Sequence, residues 1–180
     1  MGEGRREAAA DRRRIRRLAA GDAAALAEIY DAHAERIFGL ALWITRSRAD
    51  AEEVVQTVMV KLAGMGDGLR RIRRPAPYIL RMARAAALDI AAGRAARREE
   101  PVESALFVAD GSDPLRAAEA SEMESLLARL DAAQREAVYL HLFEGFTFRE
   151  VGRITGAPTF TAASRYRLAL ERLRKETSER

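Results

Sequence analysis

Between Thr147 and Arg167 the chain reads TFREVGRITGAPTFTAASRYR, and its second half gathers two hydroxyls and two guanidiniums, Thr161, Ser164, Arg165 and Arg167, within seven residues. Hydroxyls and backbone amides suit phosphate oxygens, while Arg reaches phosphates or guanine edges through paired hydrogen bonds. The pattern around them is helical. Thr147 with Glu150 forms a capping-box signature, Val151 and Ile154 are the apolar positions of a short helix, and Gly156 is placed to end it. After Ala157-Pro158, the residues Ala162, Tyr166, Ala169 and Leu173 recur at helical spacing as a seam to be buried. Thr161, Ser164, Arg165, Arg167 and Leu168 then stand on the outer face near the helix start, where the second helix of a helix-turn-helix meets the major groove. A helical hairpin packing onto its own domain has the same signature, and at this level both readings stand.

Arginine is also concentrated upstream. Residues 70–98 carry nine Arg against Asp89 alone, so a polyanion is the natural complement of this segment. A coding bias towards Arg and Ala, with ordinary solvated faces, is the plain alternative. A third polar set lies in ADAEEVVQTVMVKLAG, where Val55, Val58, Met59 and Leu62 point inward and Asp50, Glu53, Gln56, Thr57 and Lys61 outward. No catalytic constellation accompanies these groups. The two histidines, His33 and His141, are far apart, there is no cysteine, and the carboxylates fall on helical surfaces, so neither an enzyme, a cofactor site nor a metal site is expected.

The elements that must position these residues are helices; no segment keeps period-two alternation. Ala23 to Ile44 places Leu26, Ile29, Tyr30, His33, Ile37, Leu40 and Ile44 on one stripe behind Asp22 as N-cap, which makes His33 a core or boundary residue before a ligand. GMGDGLRRIRRPAP reads as a basic loop, and APYILRMARAAALDIAAGRAARR resumes a helix with Ile79, Met82, Ala83, Ala86 and Ile90 on one side. Residues 99–124 carry eight acids against Arg116, with two prolines and no period, which predicts a tether. Ser121 with Glu124, and then Asp131, supply the next helix starts. The expectation is an all-α protein of two small helical domains: a basic N-terminal arm over 1–21, a first domain over 22–98, an acidic linker over 99–120 and a helix-turn-helix domain over 121–180.

A chain of 180 residues can bury a core of this size. The N-terminus has no apolar stretch of signal-peptide length, and no later run approaches a membrane span, so a cytoplasmic protein without membrane insertion is expected.

In order along the chain, IYDAHAERIFGLAL, ADAEEVVQTVMVKL, YILRMARAAALD and LARLDAAQREAVYLHLFEGFTFREVGRITG with TAASRYRLALERLR resemble the extracytoplasmic-function sigma factors, the small initiation subunits of bacterial RNA polymerase. The resemblance runs from about residue 23 to 175 and implies two helical domains, regions two and four. Its implied partners are core RNA polymerase and promoter DNA, with an anti-sigma factor as a further candidate. Asp50, Glu53 and Gln56 match the surface that docks on the polymerase clamp helices. Arg70 to Arg98 matches the part that meets and opens the minus-ten element, with Arg73, Arg74, Tyr78, Arg81, Arg84, Arg94 and Arg97 as candidate contacts. The set Thr161, Ser164, Arg165, Arg167 and Leu168 matches the minus-thirty-five surface.

This chain departs from the family pattern at named places. Thr57 takes a usually acidic position, Ala85 replaces the Asn of an Ala-Arg-Asn run, and Ala92 stands where an Arg often follows Asp89. Ala163 takes a usually basic position and Phe160 replaces a Gly. These departures keep a second reading in view, a sigma-like or helix-turn-helix DNA-binding regulator without initiation activity; a helical adaptor with solvated Arg faces is a third.

Overall fold

The computed structural model describes residues 3–97 and 125–178, and every described element is helical or a turn. The chain divides into two compact units, Met1–Glu100 and Pro101–Arg180. The acidic segment 99–120, and the capping pair at Ser121 and Glu124, lie outside the described residues.

The first unit holds α1 (Glu3–Ala19), α2 (Ala24–Thr45), α3 (Arg48–Gly64) and α4 (Pro75–Arg97). Helix α2 is central, packing against α1, α3 and α4. Its start is fixed where Asp22 Oδ1 accepts from the Ala24 N–H at 3.0 Å. Its end is fixed where Arg46 turns into the left-handed region at φ 56° and donates its N–H to the Leu42 carbonyl. Ser47 then caps α3, its hydroxyl accepting from the Asp50 N–H. Ile29, Ile37 and Leu40 from α2 meet Val54, Val58 and Leu62 from α3 and Ile79, Leu80 and Ala83 from α4 in a core closed to solvent. The stripe expected on α2 is rotated in part: Tyr30 is exposed, while Ala25, Ala41 and Trp43 are buried instead. Small Ala residues admit a close neighbouring helix, and that packing, not hydropathy, chooses the buried side.

Two segments differ from the sequence reading. Residues 3–19, expected as a basic arm, form α1, which packs on α2, α4 and the segment before α4. Arginines dominate this helix, but Ile15 is 2% exposed, and Asp11 is 2% exposed beside His33 at 1%. His33 Nε2 stands 3.0 Å from Asp11 Oδ1, at an angle off a straight hydrogen bond, and Arg14 Nη1 donates to the same oxygen at 2.9 Å. Burial by itself raises the Asp11 pKa; the contact with His33 and then that with Arg14 outweigh it, and the net shift is downward. The expected basic loop likewise contains a 3-10 helix, Gly66–Arg71, anchored by the buried Leu69. Gly66 at φ +51° provides the turn into it.

The second unit contains a short helical turn at 125–128, then α5 (Ala132–Val138), α6 (Phe148–Thr155) and α7 (Thr159–Ser178). Asp131 and Gln134 form the capping box that starts α5. Beyond Val138, α5 widens into a π turn over Tyr139–Phe143, closed by the Glu144 N–H on the Tyr139 carbonyl. Its core joins Leu127, Leu130, Val138 and Leu140 to Val151, Ile154, Ala162 and Ala169.

Candidate nucleic-acid interface

The turn between α6 and α7 sets the direction of the C-terminal candidate surface. Thr147 and Glu150 close their capping box in both directions, with the Thr147 hydroxyl accepting from the Glu150 N–H and Glu150 Oε2 accepting from the Thr147 N–H at 3.1 Å. Gly156, at φ +74°, ends the helix, and the Gly152 carbonyl accepts from the N–H groups of both Gly156 and Ala157. Gly152 has a second role that sequence reasoning missed. A Cβ on it would lie 2.6 Å from the carbonyl oxygen of Ala157, so the chain can fold back this tightly only over a bare backbone.

Behind the turn, His141, Phe148 and Tyr166 form a ring cluster with centroids 4.0 to 5.5 Å apart. The Phe146 carbonyl lies 2.7 Å from His141 Nδ1 and can only accept, which places the proton on Nδ1. Together with Ala162 and Ala169, the cluster holds one side of α7 against its unit. On the remaining surface, Thr161, Ser164 and Arg165 are half-buried, whereas Arg167 and Leu168 are exposed. Leu168 lies towards the far end, in an open groove with Gln134, Glu171 and Arg172. The five predicted residues therefore form a strip graded from the seam outward.

In the first unit the predicted residues separate. Pro75 opens α4 at a position where its missing N–H is not needed, directly after Arg73 and Arg74. Helical spacing then carries Arg74, Tyr78 and Arg81 along one side, with Arg73 and Arg81 exposed and Tyr78 half-buried. The Tyr78 hydroxyl lies 4.0 Å from Met65 Sδ, so part of the ring is covered by the preceding turn. Arg84 is half-buried beside this strip, and Arg97 is exposed at the end of the helix. Ala85, Leu88 and Ala92 continue the outer face as an exposed apolar run.

Arg94 and Asp50 do not stand with either predicted set. They pair with each other between α4 and α3, with side chains only 11% and 16% exposed. The pairing draws both charges inward, leaving Glu53 and Gln56 as the exposed members of the set Asp50, Glu53 and Gln56. One turn further on, Val60 is 71% exposed, in the same helical phase as Glu53 and Gln56. The sequence reading leaves it out, although its spacing puts it off the Val55-Val58-Met59-Leu62 stripe; valine in an apolar-rich segment reads as core.

Among the described residues no group of His, Asp or Glu could hold a metal ion, and no helix is long and apolar enough to cross a membrane.

Comparison with known proteins matches residues 29–99 to Sigma-70 region 2 and residues 120–173 to Sigma-70 region 4. The chain is 33% identical to the ECF RNA polymerase sigma factor RpoE of Cereibacter sphaeroides over 87% of its own length and 88% of that protein. It is 29% identical to the ECF RNA polymerase sigma factor SigK of Mycobacterium tuberculosis, covering 89% of each. Among solved structures, CnrH in complex with the cytosolic domain of CnrY is similar in fold, with a TM-score of 0.71 at 19% identity, covering 94% of this chain and 98% of the other. RpoE bound to the anti-sigma factor NepR, from Bartonella quintana, gives a TM-score of 0.64 at 21% identity, covering 82% and 93%. With both sigma regions matched in order and a relative of this identity spanning nearly the whole chain, the protein belongs to the extracytoplasmic-function sigma factors.

Proposed function

We propose that the chain initiates transcription by carrying core RNA polymerase to promoters, with α3 as the docking helix, the start of α4 as the minus-ten surface and α7 as the minus-thirty-five reader. The observation that carries this reading is the outer strip of α7, in which hydroxyls and guanidiniums face away from a helix locked from behind by Ala162, Ala169 and the ring cluster. A side chain can discriminate bases only if its helix is held rigidly, and this one is.

On α3, Glu53 and Gln56 offer an acid and an amide to basic and polar partners on the polymerase, and Val60 adds an apolar contact at the centre of the same side. At the start of α4, Arg73 and Arg74 just before the helix and Arg81 within it attract the strand backbone, while the accessible part of Tyr78 offers a stacking edge to an unpaired base. An anti-sigma factor is the second class of protein partner, and the place of action is the cytoplasm, beside polymerase and chromosome.

Run-off transcription with core polymerase and a genomic promoter pool tests the reading directly. Discrete transcripts are expected only when the chain is added, and Glu53→Arg combined with Gln56→Ala should weaken capture of core polymerase at least tenfold while the fold is kept. Unchanged capture would remove α3 from the docking surface. Exposure of Ala85 and Ala92 on α4 supports a regulator without initiation activity as the second reading, since neither can hydrogen-bond a displaced strand. Promoter duplex bound without polymerase, together with no run-off product, would favour it.

A further inference from the structure

One large side chain on α7 belongs neither to its buried seam nor to its charge pattern. Phe160, the second residue of the helix, is 77% exposed, more than any other large hydrophobic residue among those described. A phenyl ring in water forgoes one of the largest apolar contributions a side chain can make. The seam lies on the other side of the helix, where Ala162 and Tyr166, two and six residues on, pack with Phe148.

Position narrows what covers the ring. Ser164 and Arg167 follow Phe160 by four and seven residues, so all three share one side of α7. Residues 148–178 carry seven basic side chains against three acids, and the complement of that surface is a polyanion. In a helix-turn-helix the first turns of the second helix approach the base edges. The apolar group displayed there by duplex DNA is the C5 methyl of thymine, which Phe can cover.

We propose that Phe160 is a specificity-determining residue that packs on a thymine methyl in the upstream promoter element. The proposal rests on the reading of α7 as the minus-thirty-five reader. Thr161, Ser164 and Arg167 take phosphates or polar base edges, and the ring excludes water from the methyl beside them. A chain with Gly at this position would read the same base pair without regard to the methyl.

The test uses holoenzyme assembled from the full chain and core polymerase, on a promoter taken from the run-off pool. Each thymine of the upstream element is replaced in turn by uracil, which removes only the methyl. With the parent, uracil at one or two positions should weaken promoter binding about threefold to fivefold, the worth of one buried methyl-sized group. Phe160→Ala should weaken binding similarly on the thymine template and no longer distinguish thymine from uracil; circular dichroism checks its fold, which removal of a largely exposed ring leaves intact. A parent indifferent to every uracil, or a Phe160→Ala variant that still discriminates, would overturn the proposal and turn the ring towards a protein partner. Arg167→Ala run in parallel keeps the two readings apart. If it lowers promoter use while Phe160 has no effect, only the methyl contact fails; if it too has no effect on any template, the assignment of α7 to DNA fails first.

Discussion

Substitution of Gly152 by Ala probes the turn that aims α7. The added Cβ would lie 2.6 Å from the Ala157 carbonyl oxygen, about 0.7 Å inside the roughly 3.3 Å at which carbon and carbonyl oxygen ordinarily meet. The obstacle is backbone, and that same residue donates its N–H to the Gly152 carbonyl at 3.0 Å, so the turn cannot open without stretching its own hydrogen bond. Overpacking of this kind costs about 2–3 kcal/mol, and the better helix propensity of Ala returns about 1 kcal/mol, leaving a net loss of about 1–2 kcal/mol. For a unit of this size that loss lowers the melting temperature by about 5–10 °C. Thermal unfolding followed by circular dichroism measures it. Trp43, the only tryptophan, lies in the first unit, so its fluorescence transition should stay where it is while the dichroism transition moves. Gly93→Ala is the matched control. That glycine lies within α4, where an added Cβ meets only the flexible end of Arg97 at 3.5 Å, and the change should stabilise by about 0.5–1 kcal/mol. A Gly152→Ala protein that melts at or above the parent temperature would refute the turn argument, and promoter binding by that variant would then be unaffected too.

The buried contact of Asp11 with His33 and Arg14 should make docking of α1 acid-sensitive. The folded carboxyl titrates below its ordinary value of 3.8, so its contribution is present above that pH and is lost as pH falls through the depressed folded value. The stability difference between parent and Asp11→Asn should therefore shrink as pH falls below about 3.8; a difference that grows on acidification through that range would contradict the sign. For Asp50 and Arg94, a double-mutant cycle by urea denaturation should give a coupling of about 1–2 kcal/mol, as expected of a largely buried pair in contact. Additive single effects would return both side chains to the list of free contacts. On α7, Arg167→Ala should reduce use of the upstream element by about 1–3 kcal/mol in promoter affinity, against a smaller effect for Arg172→Ala further from the helix start. Equal activity of parent and Arg167→Ala on every promoter variant would exclude Arg167 from the DNA surface.

Outside α1 and the 3-10 turn before α4, the helices were legible in the sequence because many of their start and stop signals are local. Thr147 with Glu150, Asp131 and Gly156 act within four residues, and the structure forms each of these caps where the sequence puts it. The family was legible as well, since the ordered motifs that carry the resemblance are contiguous segments and the two matched sigma regions fall on them. What the sequence left open depends on partners distant along the chain. Asp50 looked like a surface acid until Arg94, 44 residues away, was seen to turn towards it. His33 reads as a core or boundary residue and is buried, but its contact with Asp11 requires α1 to dock on α2, and an arginine-rich segment whose large apolar residues are Ile15 and Leu18 does little to announce docking. Phe160 could not be told from a core aromatic by type, because type fixes how much a ring gains from burial, whereas the packing of Ala162 and Tyr166 with Phe148 decides which side of the helix is buried.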